Sequence, residues 1–158
     1  MRPLLLSVAL AGCAGDKTSA ATGETGGTPT TDPVDEAALL ADLQADLADY
    51  PTWGQAAGWE GLVATPGGAH GPAVAIYYDD AALADLAQPA VGATSFKEGY
   101  ADPAGTLLDS ISALRNVEGY WWFYADFAPD GTVEESGRPD LCVGCHESLG
   151  AEGFLSDN

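Results

Sequence analysis

Two cysteines and a histidine near the C-terminus form the most specific chemical pattern in the chain. Cys142, Cys145 and His146 have the spacing C-x-x-C-H, which is the attachment pattern of a c-type haem. Two thiols three positions apart can form thioethers with the two vinyl groups on one haem edge. The adjacent imidazole can then bind the iron as the proximal ligand. The sequence therefore predicts one covalently attached haem c, held by Cys142 and Cys145, with His146 as the iron ligand.

The same residues have two other uses that the spacing leaves open. Cys142 and Cys145 could form a disulfide of a thioredoxin-like redox site, although no β-α-β pattern surrounds them. A structural zinc site needs four ligands, and only His70 is available to complete a set with Cys142, Cys145 and His146.

The N-terminus predicts export and a lipid anchor. Arg2 is followed by a short apolar run, residues 4–10, which is typical of a signal peptide. The run ends in Leu-Ala-Gly-Cys at 10–13, which resembles a bacterial lipobox. We therefore expect residues 1–12 to be a lipoprotein signal peptide and Cys13 to be lipidated. Residues 13–31 are then a flexible tether of small polar residues, and 32–158 a haem domain in the cell envelope.

Charge excludes whole classes of partner. The chain has 24 acidic against 5 basic residues and a formal net charge of −19, so we expect no nucleic-acid partner and membrane contact through the lipid anchor only. The remaining partners are a small-molecule ligand or substrate and a redox protein, for which a basic surface would suit the acidic chain.

Hydrophobic periodicity predicts an α+β fold, mainly an antiparallel sheet with a few helices. We expect a helix over 33–49, capped by Asp32, and a short helix over 79–87. Strand-forming runs joined by short turns cover 73–78, 94–100, 106–117 and 120–127. Along the second strand, Phe96 and Glu98 alternate with Lys97, so Lys97 and Glu98 point to opposite faces unless a bulge intervenes.

Composition also limits the second axial ligand of the iron. The only methionine is Met1, which the predicted signal peptide removes, so a His/Met electron-transfer site is excluded. His70, Lys17 and Lys97 are the candidate nitrogen ligands; without them the iron is five-coordinate. An open position on haem iron is where small molecules bind and react.

Taken together, residues 48–150 resemble the cytochrome P-460 family, which includes the cytochromes c′-β. The resemblance rests on four segments in the family's order: Val91-Gly92-Ala93-Thr94-Ser95-Phe96-Lys97-Glu98-Gly99-Tyr100, Gly119-Tyr120-Trp121-Trp122-Phe123-Tyr124, Pro129-Asp130-Gly131 and the late C-x-x-C-H motif. It implies a mainly antiparallel sheet, one covalently attached haem and His146 as proximal ligand.

The resemblance also implies an activity. Cytochromes P-460 oxidise hydroxylamine and nitric oxide and carry a lysine cross-linked to the haem, whereas the c′-β members lack the cross-link and bind nitric oxide. Lys97 is the position that matches the cross-linking lysine, and its alternative role is that of a surface or salt-bridged strand lysine. Glu98 is the candidate distal proton acceptor. The alternative is a non-enzymatic electron-transfer cytochrome with His70 as the sixth ligand.

Overall fold

A single antiparallel sheet organises the part of the chain that the structure describes. The computed structural model describes residues 34–65, 68–118 and 121–148. Its six strands lie side by side in chain order, each antiparallel to the next. They are β1 (Val63–Ala64), β2 (Ala73–Tyr78), β3 (Thr94–Tyr100), β4 (Leu108–Glu118), β5 (Trp121–Phe127) and β6 (Val133–Gly137). The predicted α+β class with a mainly antiparallel sheet is confirmed.

Three α-helices accompany the described strands: α1 (Glu36–Asp46), α2 (Asp80–Ala84) and α3 (Asp140–Ser148). A short 3₁₀ turn, Tyr50–Thr52, follows α1. Within the described residues, no helix is long and apolar enough to cross a membrane. The predicted signal peptide, the lipidation site Cys13 and the tether lie outside the described residues.

The sheet has two apolar faces, and different helices cover them. On what we call the α1 face, Phe96, Phe123 and Phe127 are fully buried with Leu43, and Leu39 and Leu40 of α1 pack there. On the α3 face, a second cluster contains Ile76, Tyr78, Leu114, Trp122 and Tyr124, and Cys142 and Val143 of α3 pack against it. Alternation along each strand separates the two sets.

Helix α1 begins three residues later than the sequence suggested. The expected cap at Asp32 lies outside the described residues, and the observed cap is Asp35, whose carboxylate accepts a hydrogen bond of 3.0 Å from the amide of Ala38. The helix is tied to the sheet by Arg115 of β4. Its guanidinium bonds to Asp46 at 2.9 Å and Asp42 at 3.3 Å.

Side-chain carboxylates also set two other element boundaries. The expected helix over 79–87 is only Asp80–Ala84, because Asp85 turns extended and accepts hydrogen bonds from the amides of Ala87 and Gln88. The expected strand over 106–117 begins at Leu108, because Asp102 holds the amides of Thr106 and Leu107 in a turn. Both predictions were wrong at the end where an aspartate competes with regular structure.

Candidate functional site

Helix α3 presents the C-x-x-C-H residues to the sheet. Cys142, Cys145 and His146 are spaced i, i+3 and i+4, so they share one side of the helix, and each is partly buried. Leu141 and Gly144 occupy the outward side and are exposed. The ring of His146 lies against Tyr124 of β5, with ring centroids 5.6 Å apart. All three candidate ligands therefore face the same surface of the sheet.

A row of polar side chains crosses the sheet beneath α3. Lys97 of β3 pairs with Ser112 of β4, and Ser112 pairs with Asp126 of β5, so the three side chains share the α3 face. The Ser112 hydroxyl donates to Asp126 Oδ1 at 2.7 Å. Lys97 lies close enough to Cys145 for the thiol's charge to affect its pKa. The sheet thus places Lys97 on the face that α3 covers, close to the motif.

His70 reaches the same surface from the loop before β2. Its Nδ1 lies 3.3 Å from the Ser112 hydroxyl, and its ring centroid is 6.4 Å from that of His146. The close approach depends on Gly99 of β3, because a Cβ there would meet the carbonyl oxygen of His70 at 2.7 Å. His70, Ser112 and Asp126 therefore form one connected group beside His146.

Burial lowers the pKa values of the nitrogen groups on this surface. The pKa of His70 is lowered to about 3, first by burial and then by the charges of Lys97 and His146. Burial also lowers the pKa of Lys97, against the opposing effect of Cys145. A lowered pKa favours the neutral imidazole and the neutral amine, which are the forms that bind metals or act as nucleophiles.

Glu98 lies on the opposite face. Its carboxylate accepts hydrogen bonds from Tyr100 at 2.7 Å, Tyr50 at 2.9 Å and, weakly, Tyr77 at 3.4 Å. The structure therefore brings Lys97 to the motif and leaves Glu98 on the α1 face, because β3 is regular at these positions and its register shift comes later, between Gly99 and Tyr100. The geometry does not support the expected role of Glu98 as a distal proton acceptor.

The donor set fits a c-type haem, which needs two thiols and one imidazole. Cys142 and Cys145 are not joined in a disulfide. Burial, with the nearby charges of Glu135 and Asp126, raises the pKa of the Cys142 thiol to about 11, which disfavours the thiolate that disulfide exchange needs. In residues 34–65, 68–118 and 121–148, no three His, Cys, Asp or Glu side chains are grouped to hold a metal ion. A c-type haem needs one imidazole and two thiols, and not a group of three metal-binding side chains.

Helix α3 packs on the sheet through the partly buried side chains of Cys142 and Val143 and through the ring of His146. A group inserted between α3 and the sheet would meet Lys97 and His70 from the sheet side. The residues present are thus consistent with a haem held between the helix and the α3 face.

Sequence reasoning missed Ser112 and Asp126. Both lie at inward positions of strands whose neighbours on the same face, Leu114 and Tyr124, are buried. A polar residue at a strand position that faces the core is the sequence signal by which they could have been found. Only the strand register, however, shows that they reach His70 and Lys97.

Comparison with known proteins adds no family assignment. No protein-family model matches the chain, and no curated protein or solved structure matches it.

Proposed function

We propose that this chain is a monohaem c-type cytochrome of the P-460 type. Cys142 and Cys145 would hold the haem through thioethers, and His146 would bind its iron. One observation carries the proposal: α3 presents all three residues to the sheet face that also bears Lys97, the position matching the lysine of the P-460 family.

The proposed reaction is the binding or oxidation of a small nitrogen species, hydroxylamine or nitric oxide. When bound, the haem supplies an iron site for the ligand and one-electron redox chemistry. Lys97 would hold the macrocycle from the sheet side, since its side chain lies on the α3 face and burial lowers its pKa. The His70 imidazole, neutral because of burial, would accept a hydrogen bond from hydroxylamine at one ring nitrogen.

Ser112 and Asp126 would orient that imidazole. The Ser112 hydroxyl donates to Asp126, so its oxygen is left to accept from Nδ1–H of His70. This arrangement fixes the tautomer that leaves Nε2 as a hydrogen-bond acceptor. Glu98 has no part in this proposal.

The cellular setting is proposed on the sequence. A lipid on Cys13 would anchor the protein to the bacterial cell envelope and would be its only contact with the membrane. Electrons from the oxidised substrate would leave to a redox partner protein.

The test is to produce the chain with a cytochrome c maturation system and measure the mass and absorption spectrum of the purified protein. We expect one haem per chain, which Cys142→Ala with Cys145→Ala abolishes. A strong red shift of the ferrous Soret band that Lys97→Arg removes indicates the P-460 cross-link, and an ordinary five-coordinate spectrum indicates the c′-β type. Absence of covalent haem from the wild-type protein would refute the proposal.

A second function is favoured by one observation, the position of His70. Its neutral imidazole lies on the same face as His146, with 6.4 Å between the ring centroids. If His70 binds the iron, the protein is an electron-transfer cytochrome with two histidine ligands. The wild-type spectrum would then be low-spin, and His70→Ala would convert it to high-spin. A high-spin wild-type spectrum excludes this alternative.

A further inference from the structure

The tyrosine cluster on the α1 face has a composition that packing alone does not require. Three tyrosine hydroxyls, from Tyr50, Tyr77 and Tyr100, converge on the single carboxylate of Glu98. Two of the bonds, from Tyr100 and Tyr50, are short and involve different carboxylate oxygens. The ring of Tyr50 also stacks on Phe96, with centroids 4.6 Å apart and planes 12° from parallel.

Such a cluster has the parts that one-electron oxidation of tyrosine needs. Loss of an electron makes the phenol a strong acid, so oxidation is easiest where a base already accepts its hydrogen bond at 2.6–3.2 Å. Glu98 is that base for Tyr50 and Tyr100. The pKa of Tyr50 is raised, first by burial and then by its hydrogen bond to Glu98 and the charge of Glu98. The phenols are therefore protonated at neutral pH and hold the proton to be transferred.

The cluster is separated from the α3 face by one layer of backbone. Glu98 directly follows Lys97 in β3, and their side chains point to opposite faces. Tyr77 directly follows Ile76, the residue that pairs with Lys97 across the strands. An electron leaving the cluster thus crosses a single strand to reach the face where the haem is proposed.

We propose that Tyr50 and Tyr100, with Glu98 as proton acceptor, form a redox-active tyrosine site that supplies electrons to an oxidised centre on the α3 face. This inference rests on the proposed haem. The oxidant is hydrogen peroxide, which takes up two electrons and two protons as its O–O bond breaks, giving two molecules of water. Each electron comes from one tyrosine, which becomes a neutral phenoxyl radical. The first proton moves to Glu98 and the second to solvent. Tyr100 is partly exposed, so external reductants can restore the site there.

The first experiment mixes the ferric holoprotein with hydrogen peroxide, freezes it and records the electron paramagnetic resonance spectrum. We expect a tyrosyl radical signal that is lost in the Tyr50→Phe, Tyr100→Phe double variant and strongly reduced in Glu98→Gln. Tyr78→Phe, a buried tyrosine on the other face, is the matched control and should keep the signal. Tyr124→Phe removes the tyrosine that contacts His146 and tests whether the radical forms at Tyr124 instead.

The second experiment needs no haem. The haem-free protein is oxidised by photogenerated tris(bipyridine)ruthenium(III), and formation of tyrosyl radical is followed by absorbance. Proton transfer to Glu98 predicts slower oxidation in Glu98→Gln and in Tyr100→Phe than in the wild type.

The two experiments separate the possible failures. If mass spectrometry finds no haem, the proposed function fails, and the photochemical rates alone decide whether the cluster is redox-active. With haem present, absence of a radical, or a radical lost only in Tyr124→Phe, overturns the inference. Equal photochemical rates in wild type and Glu98→Gln also overturn it.

Discussion

At the scale of the residue, neighbouring positions of one strand have opposite chemical environments. Burial lowers the pKa of Lys97 in the polar row of the α3 face, whereas Glu98, next to it, is surrounded by phenol hydroxyls that satisfy its carboxylate. The difference follows from strand alternation and from which helix covers each face. A buried amine is pushed towards its neutral form, and a buried carboxylate is tolerated only because donors surround it.

The tyrosines around Glu98 should ionise late in an alkaline titration. The pKa values of Tyr50, Tyr77 and Tyr100 are all raised, with burial as the first cause and the interactions with Glu98 as further causes. Because the folded-state pKa exceeds the value of about 10 for free tyrosine, the stability from this effect is complete below pH 10. It is lost as the pH rises through the folded-state pKa.

Phenolate absorbance against pH measures this prediction. In Glu98→Gln the cluster should ionise at lower pH than in the wild type, though still later than free tyrosine, since burial remains. Tyr78 is the internal control, because its pKa is raised by burial alone and the substitution should not affect it. An unchanged titration curve in Glu98→Gln would show that the hydrogen bonds to Glu98 do not form in solution.

At the scale of the element, a strand was predictable where strand-forming residues are concentrated between turns, and unpredictable where they are not. Strands β2 and β3 have the expected bounds because runs of β-branched and aromatic residues end at turn residues. β6 has the sequence Val-Glu-Glu-Ser-Gly, whose mostly exposed positions give no period-two pattern, and β1 has only two residues. Neither carries enough local signal to be found.

The candidate site was predictable to the same extent. Alternation correctly placed Lys97 and Glu98 on opposite faces, because it depends only on adjacent residues. Which face receives α3 depends on how the chain turns after β6, a long-range property that no local pattern contains. The contact of His70 with Ser112 likewise depends on strand register and on the loop before β2.

Substituting Gly99 should disturb the loop that carries His70. A Cβ at Gly99 would meet the His70 carbonyl oxygen at 2.7 Å and the Ser110 hydroxyl at 2.8 Å, so Gly99→Ala must push the loop away from β3. Overpacking of this kind costs about 1–3 kcal/mol. We expect urea unfolding of the haem-free protein to show a loss of that size.

A matched glycine substitution supplies the control for Gly99. Gly144 in α3 has nothing within 4 Å of a Cβ position, so Gly144→Ala should raise stability by up to about 1 kcal/mol through helix propensity. Equal effects of the two substitutions would contradict the close packing of the His70 loop on β3.

At the scale of the whole molecule, the dominant property is charge. The formal net charge of −19 creates a negative potential that attracts cations and repels anions at low ionic strength. Exposed Glu134, Glu135 and Asp140 extend this potential to the end of the sheet where β6 leads into α3. A redox partner or small reagent approaching the proposed haem edge would therefore be selected by the sign of its charge.

Salt dependence of electron transfer tests this selection. Oxidation of the ferrous protein by the cation hexaammineruthenium(III) should slow as salt is added, whereas oxidation by the anion ferricyanide should accelerate, because the Debye length shortens to about 10 Å at 0.1 M. Glu135→Gln should weaken the cation's salt dependence more than Glu60→Gln does. Glu135 lies in β6, close enough to Cys142 of α3 for its charge to act there, whereas Glu60 precedes β1 at the opposite edge of the sheet. Equal effects of the two substitutions would mean that net charge alone, and not the acidic residues beside α3, governs the approach.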